Sequence, residues 1–202
     1  MNGCYYNSLA SHRSGPFFLA VLAVIAGLFL LSGCSLSASQ DRTEKADLHY
    51  EDASSLLEAV WKEDPKEQRP AIVGGIGSTA VEDKVAPIPR EEPEILAPSL
   101  AVPEQLVKAS RSGACVRQAL LANDFTAMIW QVDDNQDLEE LAQKCQEQLK
   151  INPWLDTVPQ VYAIAWQSDF IMICYGQKTW VDPFVKASQS VMKEPVMLKG
   201  NI

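Results

Sequence analysis

Hydrophobic and polar positions divide the chain into one unbroken apolar run and a longer part with periodic patterns. Residues 17–31 carry no charge and are almost entirely apolar. Residues 138–149 repeat apolar side chains at the spacing of one helical face. Residues 125–132 and 158–166 are instead rich in the aliphatic and aromatic side chains of strands. The patterns predict an N-terminal leader followed by a folded domain.

Capping residues, prolines and turn pairs set the expected element boundaries. The first half is expected to contain a helix at about 52–62 capped by Asp52, a short strand at 71–73, a Pro-rich loop over 78–103 and a helical turn at 103–108. A strand or helix at 112–122, a strand at 125–132 and a helix from Asp134 or Asn135 to about Lys150 are expected next. Strands at 158–166 and 170–175 and a last helix opened by Asp182-Pro183 complete the expected order.

The Pro-rich segment 78–103 is predicted to contain little regular structure, because proline removes a backbone donor. The alternative is an ordered loop laid over the domain. Its anchors would then be the apolar residues Ile88, Ile95, Leu96 and Leu100.

The element order predicts an α+β fold with one domain over residues 48–202. Two antiparallel hairpins, turning at Asn123-Asp124 and at Ser168-Asp169, would build the sheet. The helices would pack on one face of that sheet.

The apolar run has the surroundings of an export signal. Arg13 is the only charged side chain before it, and Leu31-Ser32-Gly33-Cys34 follows it. A charged start, an apolar stretch and small residues at the cut characterise a secretory signal peptide. The tetrad Leu31, Ser32, Gly33, Cys34 resembles the lipobox of bacterial lipoproteins. This resemblance implies cleavage before Cys34 and a lipid on its thiol.

Cleavage there would remove residues 1–33 and leave residues 34–47 as a flexible polar tether. The domain would then lie on the outer face of the cell membrane, held by acyl chains. The alternative is an uncleaved signal anchor, because residues 16–32 are nearly long enough to span a bilayer. Both interpretations put the domain outside the cytoplasm, since the positive charge precedes the apolar run.

Charge narrows the range of partners. All 26 acidic residues, but only 16 of the 17 basic ones, follow Gly33, so the chain from Cys34 has a net charge of 16 less 26, or −10. An acidic domain gains nothing from phosphate backbones and is repelled by anionic lipid head groups. We therefore expect no nucleic-acid partner. The protein should contact the membrane through its lipid alone, and its candidate partner is an envelope protein.

Three cysteines would remain in the domain once Cys34 carries lipid. Cys115, Cys145 and Cys174 are an odd number and lie in apolar runs. They are predicted to be small buried hydrophobic residues. One disulfide with one free thiol is the alternative.

The part of the domain that follows His49 lacks the histidines that common hydrolytic and zinc sites need. His12 lies in the leader and His49 at the end of the tether. Ser-His-Asp, Cys-His and His-based zinc sites are therefore excluded from the domain. No catalytic residue is assigned.

Two segments imitate ligand-binding motifs. Residues 75–80 resemble the dinucleotide fingerprint, but the prolines that follow leave too little room for its helix. Residues 133–140 resemble the start of a calcium loop, but Leu138 and Lys144 occupy the positions of its essential Gly and Glu. We expect no cofactor and no metal.

Scattered features over residues 48–192 carry a second resemblance. They are Trp61, Val73-Gly74-Gly75, the Pro-rich loop, residues 122–127, the helix 136–149, Asn152-Pro153-Trp154, Pro159 and Tyr175-Gly176. The chain thereby resembles an uncharacterised family of clostridial (Firmicutes) lipoproteins, defined by a domain of unknown function. A Cys and a Gly that follow Trp in the family pattern are replaced here by other residues. The resemblance implies location and fold, and no activity.

Trp154 is the candidate contact residue for a ligand or partner. It lies in a loop beside Pro153, where an exposed indole can anchor a partner; the alternative is a lid over the core. We expect a non-catalytic binding or envelope-support domain. A hydrolase using two carboxylates and a small solute-binding lipoprotein are the alternatives. An exposed apolar patch around Trp154 would favour binding, and a deep acidic pocket would favour catalysis.

Overall fold

The computed structural model describes residues 48–202, so the predicted signal peptide, Cys34 and the tether lie outside the described residues. The helices are α1 (Ala53–Glu63), α2 (Pro93–Ser99), α3 (Glu104–Lys108), α4 (Leu138–Ile151) and α5 (Lys178–Val191). The strands are β1 (Ile72–Gly74), β2 (Val81–Glu82), β3 (Ala86–Pro87), β4 (Ser110–Gln118), β5 (Phe125–Val132), β6 (Val161–Gln167), β7 (Phe170–Gly176) and β8 (Val196–Asn201).

All strands join one antiparallel sheet, in the order β2-β1-β4-β5-β7-β6-β8, with β3 paired to β4 beside β1. The predicted α+β class with an antiparallel sheet is confirmed. Two hairpins are too few, however, because they account for four of the eight strands. The sequence also gave no indication of β8, whose side chains are mostly part-exposed at the sheet edge.

The helices lie on both faces of the sheet, so the prediction of one covered face is wrong. Helices α2, α3 and α4 pack with one apolar cluster, which contains Trp130 and Ile173. Helices α1 and α5 pack with the other, which contains Phe125 and Met172. Strands covered on both faces have continuous apolar runs in place of alternation. The nearly continuous apolar sequence of β7, all of which is buried, is therefore the feature that indicates helices on both faces of the sheet.

Two helix starts differ from the prediction. Helix α4 begins at Leu138, because the Asp137 side chain accepts the backbone N–H groups of Glu139 and Glu140 as its cap. Helix α5 begins four residues before the predicted Asp182-Pro183 cap and contains Pro183 within it. Burial of Val181 in the core outweighs the proline, which costs one internal hydrogen bond.

The Pro-rich segment is ordered and holds β2, β3 and α2. Ile88, Leu96 and Leu100 are buried, as expected for a loop laid over the domain, whereas Ile95 is 61% exposed. The undecided segment 112–122 forms most of strand β4.

The three domain cysteines are free and buried, as predicted. Burial raises the pKa of the Cys115 thiol to about 11 and that of the Cys145 and Cys174 thiols further. A thiol that stays protonated is a poor nucleophile, so all three act as packing residues.

Candidate functional site

The loop at residues 152–160, between α4 and β6, is held in place by a neighbouring connection. Trp154 N–H donates to the Asn152 carbonyl at 2.9 Å, which tightens the start of the loop. The Asn123 side-chain amide, from the turn between β4 and β5, donates to the carbonyls of Leu155 at 2.6 Å and Thr157 at 3.0 Å. The position of Trp154 is therefore fixed by two segments of the chain.

The Trp154 ring lies against Tyr175 with 5.1 Å between ring centroids and 59° between ring planes. Tyr175 is buried at the end of β7, and its hydroxyl donates to the Leu100 carbonyl at 3.4 Å. Burial raises the pKa of Tyr175 to about 12, so the phenol stays a neutral donor. Trp154 itself is only half-buried. It therefore covers the core and also forms a wall of the cleft beside it.

This cleft, which we call the Trp154 cleft, has a volume of about 520 Å³. Its exposed apolar rim includes Ile95 and Leu155, the latter 76% exposed. None of the lining residues carries a charge; they are Ile95, Pro98, Ser99, Ala101, Asn123, Gln148, Asn152, Pro153, Trp154, Leu155 and Tyr175. The cleft is thus an uncharged surface on a domain with a large negative charge.

Two side-chain amides in the Trp154 cleft have unused hydrogen-bonding capacity. Gln148, on α4, and Asn152, at the end of that helix, are both half-buried. Their side chains make no hydrogen bond within residues 48–202. Each amide offers two donors and an acceptor. Both amides remain available to a ligand.

A second cleft, of about 460 Å³, lies at the other end of the sheet and is acidic. Asp133, Asp134 and Asp169 line it, and so does His49, which was predicted to lie at the end of the tether and instead belongs to the fold. The Arg111 guanidinium bonds to Asp134 at 2.9 Å and also contacts Asp169, which accepts a further bond from Gln131 at 3.0 Å. The hydrogen bond to Asp134 raises the pKa of Arg111. Two of the three carboxylates are thus already paired.

The described chain enters the fold at the acidic end of the sheet. Leu48 N–H donates to the Ser168 hydroxyl, in the β6–β7 turn, at 3.4 Å. The Trp154 cleft lies at the opposite end, where β6 begins and β7 stops. Strands of this length are about 20 Å long, so roughly that distance separates the two ends.

The imitated motifs have structural explanations. Gly75 adopts φ +70° in a turn, and a short 3-10 helix over Gly77–Thr79 follows it. Asp137, in the segment that resembles a calcium loop, caps α4. Among residues 48–202, no three His, Cys, Asp or Glu residues lie close enough together to hold a metal ion. None of the helices in this part of the chain is long and apolar enough to cross a membrane.

Trp154 stays the predicted contact residue, and the residues that line the cleft with it were not predicted to meet there. They come from α2, the β4–β5 turn, α4 and the end of β7. They meet because the antiparallel register pairs the start of β5 with the end of β7, through Phe125 and Gly176. No local pattern joins positions so far apart. The amides of Asn123 and Asn152 were available as clues, but asparagine in turns has an ordinary structural explanation.

No protein-family model, curated protein or solved structure matches the chain. The resemblance to the clostridial lipoprotein family therefore stays a prediction.

Proposed function

We propose that this protein is a bacterial lipoprotein, anchored through Cys34 to the outer face of the cell membrane, whose domain binds an envelope component without catalysis. The Trp154 cleft is the binding site in this proposal. Residues 34–47 act as the tether, and the described chain begins at the end of the sheet opposite the Trp154 cleft.

One observation carries the binding part of this proposal. Trp154 lies in an uncharged cleft whose rim exposes Ile95 and Leu155. Small-ligand sites are concave, mostly apolar and contain a few well-placed polar groups, over a range of about 300–1,000 Å³. The Trp154 cleft, at about 520 Å³, has these properties.

A carboxylate-dependent hydrolase is the second candidate, and the acidic cleft is the observation that favours it. It is less well supported, because Arg111 pairs with two of the three aspartates there. A hydrolase of this type needs one carboxyl that can donate a proton and a second that activates water or the sugar. Hydrolysis of cell-wall sugars that is lost on replacing a single Asp or Glu would establish this second candidate instead.

The lipid anchor is tested by the variant Cys34→Ser, examined in cells with and without globomycin, an inhibitor of the lipoprotein signal peptidase. We expect the wild-type chain to incorporate labelled fatty acid and to accumulate as an uncut precursor under globomycin. The Cys34→Ser variant should incorporate no label, because serine has no thiol to acylate. Unchanged labelling and processing in Cys34→Ser would contradict the proposal.

The binding site is tested by crosslinking in intact cells with wild type, Trp154→Ala and Trp180→Ala. Trp180 is a matched control, since it is also half-buried but packs with the α1 and α5 face. We expect a crosslinked envelope component with wild type and Trp180→Ala, reduced at least about tenfold with Trp154→Ala. Equal capture by all three proteins would show that the Trp154 cleft is not the binding site.

A further inference from the structure

We propose that the ligand of the Trp154 cleft is an uncharged oligosaccharide, an inference that rests on the binding function proposed above. It concerns the chemical class of the ligand. Three properties of the cleft support it: its lack of charge, its aromatic wall and its unused amides.

The lack of charge excludes ligands that need a counter-ion. The domain is strongly acidic, yet none of the residues lining the Trp154 cleft is acidic or basic. An anionic ligand would meet no Arg or Lys in the cleft and would be repelled by the surrounding domain. A cation would find no carboxylate there. The complementary ligand is therefore neutral.

The aromatic wall and the amides together require a ligand that is both apolar and polar. The ring face of half-buried Trp154, held in place by Tyr175 behind it, is weakly negative, which suits the C–H groups of a sugar ring. A purely apolar ligand would bury Gln148 and Asn152 without hydrogen-bond partners, at a cost for each amide. Sugar hydroxyls are both donors and acceptors, so they match side-chain amides.

A peptide is the main rival, and the position of the cleft disfavours it. Extended peptides commonly bind by adding a strand to an open sheet edge. The Trp154 cleft lies at the ends of β6 and β7, and both are interior strands with a partner on each side. Among residues 48–202, no open strand edge is present at this position for a peptide backbone to join.

Binding of defined probes to the full-length chain tests the inference, in a detergent without a sugar head group. The probes are cellotetraose and N-acetylated chitotetraose as neutral sugars, tetragalacturonate as an anionic sugar of equal length, and a Pro-rich peptide. Titration calorimetry and tryptophan fluorescence measure the affinity. We expect a neutral sugar to bind at least about tenfold more tightly than tetragalacturonate.

Variants connect this binding to the cleft. Trp154→Ala should weaken binding at least tenfold, and Gln148→Ala and Asn152→Ala about threefold or more. Because the side chains of Gln148 and Asn152 make no hydrogen bond in residues 48–202, their removal leaves the fold intact. Trp180→Ala and Gln189→Ala, on α5, serve as controls and should stay within twofold of wild type.

Each contrary result has a defined meaning. No neutral-sugar binding, equal binding of tetragalacturonate, tighter binding of the peptide, or full affinity in Gln148→Ala and Asn152→Ala would overturn the inference. If sugars fail to bind while cellular crosslinking still depends on Trp154, the inference fails and the proposed binding function stands. If that crosslinking is also independent of Trp154, both fail.

Discussion

Replacing Gly176 by alanine is expected to lower the free energy of unfolding by about 2–6 kcal/mol. Gly176 ends β7 with φ +143°, a region that residues with a side chain rarely adopt, at a cost of about 1–3 kcal/mol. An added Cβ would also overlap the Asp124 carbonyl and lie 2.7 Å from the Phe125 Cα, and overpacking costs about another 1–3 kcal/mol. These contacts are to backbone, which cannot move aside as a flexible side chain can.

Gly77→Ala is the matched control for this prediction. Gly77 also has positive φ, at +57°, but an added Cβ there meets nothing within 4 Å. It should cost about 1–2 kcal/mol, the strain of a left-handed residue alone. Urea denaturation of both variants measures the difference. Equal losses in the two variants would show that the crowding at Gly176 is relieved by movement of the strand.

Gly176 also illustrates why parts of the fold could be predicted and others could not. The strand that it ends, Phe170–Gly176, is a local pattern of apolar residues, and the sequence predicts all of it except Gly176. Its crowding against Asp124 arises from register between distant segments, which no local pattern contains. The same contrast explains the site, because Trp154 stands out in its own loop and Gln148 is an ordinary helix residue. The start of α5 was likewise predicted wrongly from its capping residues, because burial of Val181 extends the helix towards its N-terminus.

Asp64→Asn is expected to stabilise the protein at neutral pH by about 1–3 kcal/mol. Asp64 follows α1 and is 3% exposed. Burial raises the pKa of its carboxyl from 3.8 to about 6, although the nearby Arg69 lowers it in part. This rise in pKa corresponds to a free energy of up to about 3 kcal/mol in favour of the protonated carboxyl in the folded state. Asparagine keeps the shape of aspartate without the charge.

Interactions around Asp64 explain why its charge is poorly compensated. The Arg69 Nε lies 3.7 Å from Asp64 Oδ2, while its guanidinium also bonds to the backbone carbonyls of Lys62 and Asp64 and lies 4.9 Å from the Trp61 ring centre. The Oδ1 atom of Asp64 and the Nε atom of Arg69 are buried without a hydrogen-bond partner within residues 48–202. Removing one partner of a buried ion pair normally destabilises a protein, but here the Arg69 guanidinium keeps its contacts to two backbone carbonyls and the Trp61 ring, and the 3.7 Å ion pair offsets little of the desolvation cost of Asp64.

The pH dependence gives this prediction a sign that can be tested. A carboxyl whose pKa is higher in the folded state adds stability below about pH 3.8, and that contribution is lost as the pH rises through about 6. The advantage of Asp64→Asn should therefore be near zero at about pH 3 and complete above pH 7, as measured by urea denaturation at each pH. Asp182→Asn is the control, because its ion pair with Lys178 is exposed and should change stability by less than about 1 kcal/mol at any pH. A loss of stability in Asp64→Asn at pH 7 would mean that attraction to Arg69 exceeds the cost of burial, and Asp64 would then be a stabilising residue of the α1 end.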